Sequence, residues 1–246
     1  MKIVERQNNI CVKGAKLSTA DRPENLADFL NYVNLTLIIG IAGSGKSSLI
    51  KNLLHGTKEC ALYNNIFHSV YYISPSLTMG LNLPDEKLIS LGDNDNLAEI
   101  LTNILDEEKD IGEEDEPHHV AIFLDDAVAW LAKDKASMKI FMKLVFNGRH
   151  ILGSHSSLQT FIVSQKIKSI PLTIRSQANQ IFFFNSTKKE KIVMAEEYIP
   201  LDKDKAFDIM DYIFDEKFNF MFINLQMPIN SRIHKGFNNL EILDDE

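Results

Sequence analysis

The sequence predicts a three-layer α/β fold, in which one mostly parallel β-sheet lies between two layers of helices. Short, nearly continuous apolar runs recur along the chain, and strands buried on both faces of a parallel sheet have this composition. Segments with helical periodicity separate these runs, which is the β–α alternation of a parallel sheet. The 246 residues, 45% of them hydrophobic, suffice for one large core. A single domain over 1–246 is therefore expected.

The apolar runs place five strands along the chain, at Thr36–Ile39, Ser69–Ile73, Val120–Leu124, Thr160–Val163 and Gln180–Phe184. Helical periodicity places three helices between them, at Lys46–Leu54, Asn96–Leu105 and Lys135–Phe146. We expect a core at about 34–186, on which an N-terminal strand and helix (1–33) and a C-terminal extension (187–246) pack. The extension is expected to contain one more strand, in FNFMFINLQMP.

One segment is predicted to be a loop because of its charge. The run DEEKDIGEEDE, residues 106–116, lies between the second helix and the third strand. Dense like charges repel one another and favour solvent over a packed core. We therefore expect a solvated, mobile loop at this position.

Composition excludes several classes of protein. No run of about 18 apolar residues occurs, so no membrane span is expected, and the N-terminus lacks the apolar region of a secretion signal. The two cysteines, Cys11 and Cys60, have no metal-binding spacing, which favours a reducing compartment. The net charge of −8 disfavours a protein that coats nucleic acid with its whole surface. A motor that touches DNA through a few loops remains compatible with this charge.

The strongest motif is GIAGSGKS, residues 40–47, which matches the phosphate-binding pattern G-x-x-x-x-G-K-[ST] in full. A predicted strand precedes it and a predicted helix follows it, as this Walker A loop requires. Lys46 is expected to reach the β- and γ-phosphates of ATP, and the Ser47 hydroxyl to ligate Mg²⁺. The expected nucleotide-binding residues are Gly40, Gly43, Ser44, Gly45, Lys46, Ser47 and Ser48. The predicted fold is therefore that of a P-loop NTPase.

Two adjacent acids follow the third predicted strand, in HVAIFLDD. An apolar strand that ends in such a pair delivers carboxylates to the edge where the phosphate site lies. Asp125 is expected to hold the Mg²⁺ as a Walker B aspartate. Asp126 is the candidate general base that deprotonates an attacking water, with capping of the next helix as the alternative.

A polar residue also follows the fourth predicted strand, in TFIVSQ. Gln165 is placed to contact the γ-phosphate or the attacking water, and thereby to sense the state of the nucleotide. The alternative is a glutamine that forms a hydrogen bond within a loop. Its position after a strand favours the sensor.

The segment from Phe146 to Phe184 resembles a known family more closely than a generic ATPase does. It contains the turn Asn147-Gly-Arg-His150, the strand end Ser164-Gln165, and Ile170-Pro-Leu-Thr-Ile-Arg-Ser-Gln-Ala-Asn179 before an aromatic strand. Together with GIAGSGKSS and FLDD, these features resemble the poxvirus-type genome-packaging ATPases of the FtsK/HerA superfamily, found in large DNA viruses and virophages. The resemblance covers Thr36–Phe184, with a weaker echo in RIHKGF near the C-terminus.

This resemblance implies a RecA/FtsK-like core of the ASCE type and ATP-driven translocation of double-stranded DNA into a preformed capsid. It implies a homo-oligomeric ring, a hexamer or a pentamer, that grips DNA without sequence specificity through its pore. The implied partners are capsid or portal-vertex proteins, and the implied location is the host cytoplasm or the virion. One position departs from the superfamily, which often has Glu as the second acid where this chain has the shorter Asp126.

A ring of this kind implies an arginine that one subunit supplies to the nucleotide of the next. The candidates are Arg149, which follows a predicted helix, and Arg175, which follows Pro171 in a short helix. The alternative for either is a surface or helix-capping salt bridge.

Two other functions also fit a P-loop. A nucleotide or nucleoside kinase would need an acceptor pocket and an arginine-rich lid, and the few arginines here form no lid cluster. The acid pair and Gln165 also favour water as the phosphate acceptor. An NTP-gated assembly protein with little turnover is disfavoured because Lys46, Ser47 and both acids are intact.

Overall fold

The computed structural model of this chain describes residues 26–27, 30–32, 34–55, 62–63, 65–77, 80–112, 117–153, 155–228 and 231–240. Most of the segment 1–33, where a strand and a helix were expected, lies outside these ranges. Cys11 and Cys60 lie outside them as well. No helix among the described residues combines the length and the apolar character needed to cross a membrane.

The described strands are β1 Asn34–Ile39, β2 Ser69–Ser74, β3 Leu88–Ser90, β4 His119–Asp125, β5 Ser157–Ser164, β6 Ala178–Phe184, β7 Phe220–Asn224, β8 Ile233–Lys235 and β9 Asn238–Asn239. The described helices are α1 Lys46–His55, α2 Leu97–Gly112, α3 Val128–Lys133, α4 Lys135–Asn147, α5 Leu172–Arg175, α6 Lys188–Tyr198 and α7 Lys203–Ile213. Short 3₁₀ turns occur at Asp85–Lys87 and Ile167–Ser169.

The described strands form one nine-stranded sheet in the order β3-β2-β4-β5-β1-β6-β7-β8-β9. The strands from β3 to β6 in this order are parallel, and β7, β8 and β9 are antiparallel. Strand β5 therefore lies between β1 and β4, so three strand ends meet at one side of the sheet. We call this side the carboxyl edge, and the side where the same strands begin the amino edge.

The core has two apolar layers, one on each face of the sheet. Along β1, Leu37 and Ile39 pack with helices α2, α4, α6 and α7, whereas Ile38 packs with α1 on the other face. On the α1 face, the rings of Phe123 and Phe161 stack with their centroids 4.1 Å apart. Burial on both faces explains why the strands read as continuous apolar runs. The mostly parallel, three-layer α/β fold predicted from the sequence is confirmed.

The prediction of a solvated loop over 106–116 is wrong for its first part, because α2 continues to Gly112. Within this run, Glu108 is fully buried and accepts hydrogen bonds from the Tyr71 hydroxyl (2.6 Å) and from His118 Nε2 (2.5 Å). The Lys87 ammonium lies 3.5 Å from the same carboxylate. Burial raises the pKa of Glu108, but the hydrogen bonds from His118 and Tyr71 outweigh it and bring the pKa to about 2. One carboxylate of the run thus anchors the helix to the sheet.

The C-terminal extension contains more sheet than expected. The predicted strand is β7, and two short strands, β8 and β9, which were not predicted, follow it. Strand β3 was also not predicted, because three residues are too short to give a pattern.

Candidate nucleotide-binding site

The loop between β1 and α1 has the backbone that a phosphate cradle requires. Gly43 and Gly45 have φ angles of +73° and +110°, a region that favours glycine. A Cβ on Gly40 would lie 2.5 Å from Ser44 Oγ and 2.7 Å from Phe184 Cβ, so only glycine fits there. The Gly40 N–H donates to the Ser164 carbonyl at the end of β5 (3.1 Å). These contacts fix the loop against the neighbouring strands.

The loop leads directly into the N-terminus of α1, where unpaired backbone N–H groups and the helix dipole attract anions. The helix buries Leu49, Ile50, Leu53 and Leu54 against the sheet. Ser47 and Ser48, in its first turn, are exposed. The Ser44 hydroxyl is buried and has no hydrogen-bond partner among the described residues. An orphaned hydroxyl beside a helix N-terminus fits a site that binds phosphate oxygens.

Lys46 lies along the loop in the place expected of a phosphate-binding lysine. Its ammonium donates to the carbonyls of Gly40 (2.6 Å) and Ile41 (3.1 Å). Burial lowers the pKa of Lys46, whereas the nearby charges of Asp126 and Asp125 raise it. The lysine and both acids, which come from two separate sequence motifs, therefore share one electrostatic environment.

Strand β4 delivers Asp125 to the carboxyl edge, where a side-chain oxygen accepts a hydrogen bond from the Tyr72 hydroxyl on β2. Burial raises the pKa of Asp125, the Tyr72 bond lowers it, and the charge of Asp126 raises it again. The net effect is a raised pKa, which a bound cation would counteract. Tyr72 was missed by sequence reasoning because the pairing of β2 with β4 cannot be read from the motif.

Asp126 and Gln165 are brought together at the same edge. The Gln165 side-chain amide donates to Asp126 Oδ2 at 3.2 Å, and both residues are exposed. Asp126 has a φ of +50°, and its N–H donates to the Val163 carbonyl (3.0 Å). The cap position of α3 is Ala127, so the alternative role of Asp126 as that helix cap is not observed. The Asp126 carboxylate instead faces Gln165, the residue that directly follows β5.

Oxygen ligands for Mg²⁺ are present in this arrangement. Ser47 supplies a hydroxyl and Asp125 a carboxylate, and Mg²⁺ in phosphate sites takes few protein ligands beside phosphate oxygens and waters. No cluster of three or more His, Cys, Asp or Glu that could hold a metal alone occurs in the described part of the chain. The residues present thus fit a cation held jointly with a nucleotide.

The two candidate arginines lie away from this edge. Arg149 follows Gly148, whose carbonyl accepts the Leu158 N–H (2.7 Å) at the start of β5, and this places Arg149 at the amino edge. Its side chain is half-buried, with no hydrogen bond or ion pair to another described residue. Arg175 lies three residues before β6 begins and forms a two-bond ion pair with Glu197, at 2.8 and 2.7 Å. The structure brings neither arginine to the P-loop of its own chain.

A cavity of about 450 Å³ lies beside the tip of the P-loop. It is lined by residues 41–44 of the loop, by Asn185 and Ser186 after β6, and by residues 214–219 before β7. A second cavity, of about 300 Å³, is lined by Gly45, by the first turns of α1 and by aromatic side chains of β6 and β7. The loop between β1 and α1 thus opens onto space that the C-terminal part of the chain lines.

Solved structures share this fold. The genome packaging NTPase B204 from Sulfolobus turreted icosahedral virus 2, in complex with ATP-gammaS, matches with a TM-score of 0.56 and 14% identity over 86% of this chain and 100% of that chain. The fold is that of a P-loop ATPase. EssC (ATPases 2 and 3) from Geobacillus thermodenitrificans matches with a TM-score of 0.51 and 13% identity, over 87% of this chain and 41% of that chain.

The cytoplasmic domain of the type VII secretion ATPase EccC from Thermomonospora curvata is similar as well. Its TM-score is 0.54, with 12% identity over 85% of this chain and 24% of that chain. No protein-family model and no curated protein sequence matches. At these identities the likeness concerns the fold, and it confirms the P-loop ATPase fold expected from the sequence.

Proposed function

We propose that this protein is an ATP-hydrolysing motor that moves double-stranded DNA into a viral capsid as a homo-oligomeric ring. The observation that carries the proposal is the meeting of Lys46, Asp125 and the Asp126–Gln165 pair at one edge of the sheet. The fold likeness to a viral genome packaging NTPase supports it, as does the resemblance of residues 36–184 to poxvirus-type packaging ATPases.

The cradle holds the substrate by its phosphates. Backbone N–H groups of residues 43–48 surround the β-phosphate, and Lys46 leaves the loop carbonyls to contact the β- and γ-phosphates. Ser47 and Asp125 would hold Mg²⁺, which would supply positive charge beside the phosphate oxygens. Tyr72 keeps Asp125 in position through its hydrogen bond.

Water is the acceptor in the proposed reaction. The water oxygen forms a bond to the γ-phosphorus as the bond to the β–γ bridging oxygen breaks, and the Asp126 carboxylate takes the proton. The Gln165 amide orients Asp126 before the reaction and contacts the water or the γ-phosphate when ATP is bound. The exposure of both side chains supports access by water.

The position of Arg149 supports a ring. A head-to-tail assembly brings different surfaces of adjacent subunits together. A residue at the amino edge can then reach the phosphates of the next subunit, although it is distant from those of its own. Arg149 has no partner among the described residues, whereas Arg175 is held by Glu197. Arg149 is therefore the stronger candidate for the arginine supplied in trans.

A chain with a net charge of −8 has to grip DNA through a few basic loops of the assembled pore. The proposed partners are DNA of any sequence, further copies of this chain, and capsid or portal-vertex proteins in the host cytoplasm or the virion.

The proposal is tested by measuring ATP hydrolysis with and without long double-stranded DNA, together with the oligomer mass in ATP. We expect a ring whose hydrolysis DNA stimulates, and a Lys46→Ala variant that neither binds ATP nor hydrolyses it. Transfer of phosphate to a nucleoside would identify a kinase instead. Wild-type turnover equal to that of Lys46→Ala would identify an assembly protein.

A further inference from the structure

Phe218 occupies an unusual position beside the P-loop. Its φ is +72°, which is an outlier for a bulky residue, and 56% of its surface is exposed. Its ring lines both cavities next to the cradle. A Cβ built on Gly45 would lie 3.4 Å from Phe218 Cδ1, so the ring rests directly against the P-loop. Strain of this kind at a cleft is typical of a functional position.

The smaller cavity connects this ring to the end of α1 that receives phosphates. Ser48 lies in the first turn of the helix, next to Ser47, and it lines the cavity together with Phe218 and Phe220. A nucleotide held by its phosphates at this helix N-terminus extends its nucleoside beyond the cradle. Phe218 also borders the larger cavity, which Asn219 lines, so a nucleoside that extends into that space meets an aromatic ring. The Lys217 ammonium lies 4.8 Å from the centre of that ring and adds a positive charge to this wall.

A series of hydrogen bonds fixes the orientation of the Asn219 side chain, which lines the larger cavity. The Lys235 ammonium donates to Asp215 Oδ2 (2.8 Å) and to the Tyr212 carbonyl (3.1 Å). The Asn219 amide nitrogen donates to Asp215 Oδ1 (2.8 Å). Because an ionised carboxylate only accepts hydrogen bonds, the amide nitrogen of Asn219 must face Asp215. Asn219 Oδ1 is then left as an acceptor.

Lys235 belongs to RIHKGF, residues 232–237, a segment that the phosphate chemistry does not use. It reaches the site because β8 pairs with β7, where Lys235 lies opposite Met221. The short C-terminal strands thereby connect this motif to the loop beside the P-loop.

We propose that residues 214–219 form the nucleobase subsite, in which Phe218 stacks on the base and Asn219 Oδ1 accepts a hydrogen bond from an amine at position 6 of a purine. A 6-aminopurine donates to such an acceptor, whereas the 6-oxo group of guanine faces it with another acceptor. The site therefore selects ATP over GTP. Lys235 is a positioning residue that acts through Asp215. The inference rests on the proposed function only in that the P-loop binds a nucleoside triphosphate.

The first test separates base recognition from phosphate recognition. Binding of ATP and of inorganic tripolyphosphate to the full chain is measured by calorimetry. Phe218→Ala is expected to weaken ATP binding about tenfold, the scale of one base–aromatic stack, and to leave tripolyphosphate binding unchanged. Phe146→Ala is the matched control, because Phe146 is equally exposed (58%) but lies at the end of α4. It should change neither affinity.

The second test concerns selectivity. Asn219→Ala and Lys235→Met should each reduce the ATP:GTP affinity ratio several-fold, with tripolyphosphate binding unchanged as evidence that the fold is intact. Lys203→Met removes a lysine near Glu196 at the far end of α7 and should leave the ratio unchanged.

The outcomes distinguish this subsite from the proposed function. If Lys46→Ala abolishes binding of both ligands while Phe218→Ala binds ATP normally, the subsite is overturned and the P-loop site stands. Equal weakening of ATP and tripolyphosphate in Phe218→Ala also overturns it, since the ring would then act on the phosphate loop. If Lys46→Ala binds ATP and tripolyphosphate as tightly as the wild type does, the P-loop does not hold the phosphates, and the proposed function and the subsite are both overturned.

Discussion

The polar cluster around Glu108 at the amino edge and the polar groups at the carboxyl edge are in opposite states. At the amino edge, Glu108 is buried and bonded to Tyr71 and His118, so each group satisfies another. At the carboxyl edge, Asp126 and Gln165 are exposed and the Ser44 hydroxyl has no described partner. Buried polar groups whose hydrogen bonds are all formed stabilise a fold, whereas polar groups that lack a hydrogen-bond partner beside a cavity can bind a ligand. Changes at the carboxyl edge should therefore alter chemistry, and changes at the amino edge should alter stability.

The largest expected effect is at the carboxyl edge. Asp126→Asn removes the proposed base while keeping the size of the side chain, so turnover should fall by up to about 10⁴-fold with ATP affinity retained. Steady-state hydrolysis and ATP calorimetry measure the two quantities. Asp211→Asn, an exposed acid paired with Lys191, is the control and should have no effect. Hydrolysis by Asp126→Asn at a near wild-type rate would show that another group takes the proton.

Arg149 is the expected exception to this contrast. It lies at the amino edge without a described partner, but its substitution should alter turnover rather than stability. Arg149→Ala should lower turnover of the assembled ring about 10³-fold and leave the unfolding free energy unchanged. Adding a Lys46→Ala subunit, whose arginine is intact, to the Arg149→Ala protein should restore hydrolysis. No restoration in mixed rings, with assembly verified by mass, would contradict action in trans.

At the amino edge, Glu108→Ala leaves Tyr71, His118 and Lys87 without their shared acceptor. The unfolding free energy should fall by about 3 kcal/mol, measured by urea denaturation, while ATP affinity is retained. Asp106→Ala, an exposed acid on the same helix, is the control and should change stability by less than about 0.5 kcal/mol. A loss of ATP binding without a loss of stability would contradict the structural role.

The pH dependence of stability provides a second measurement on Glu108. Its pKa is about 2 in the folded protein, below the ordinary value of 4.5 that applies when the chain is unfolded. Its contribution is therefore complete above pH 4.5 and is lost as the pH falls toward 2. The wild-type protein should lose more stability over this range than Glu108→Gln does. Parallel curves for the two proteins would count against the buried ion pair.

The smallest expected effect is that of Tyr72→Phe, which removes the hydrogen bond to Asp125. That bond lowers the pKa of Asp125, so its loss should raise the pKa and shift the acid limb of turnover to higher pH. The Mg²⁺ concentration for half-maximal activity should rise about tenfold. Tyr198→Phe removes a hydroxyl that bonds the Arg175 carbonyl instead, and it should leave both quantities unchanged. An unshifted pH profile in Tyr72→Phe would show that the bond does not tune Asp125.

Much of the fold follows from the sequence because its information is local. The five long strands are mostly apolar along their own length. The strand and the helix on either side of the P-loop can each be recognised from their own residues. Glu108 could not be found in this way, since its partner Tyr71 lies on β2 and its partner His118 lies directly before β4. Within the acidic run, no feature of the sequence distinguishes Glu108, the residue that accepts hydrogen bonds from buried donors, from its neighbours.

The parts of the site that were missed depend on which strands are neighbours. Tyr72 meets Asp125 because β2 pairs with β4, and Lys235 meets Asp215 because β8 folds back along β7. Short motifs contain no information on such pairings. The roles of Asp126, Gln165 and the two arginines remain predictions that the variants above address.

The hydrogen bond from the Gly40 N–H to the Ser164 carbonyl joins the first amide of the P-loop to the last residue of β5. Ser164 is covalently followed by Gln165, and the turn beyond it contains Lys166 and Lys168. The P-loop and this basic turn are thus connected through one backbone hydrogen bond. Backbone atoms alone form the connection, so no substitution of a side chain removes its donor, except proline at position 40.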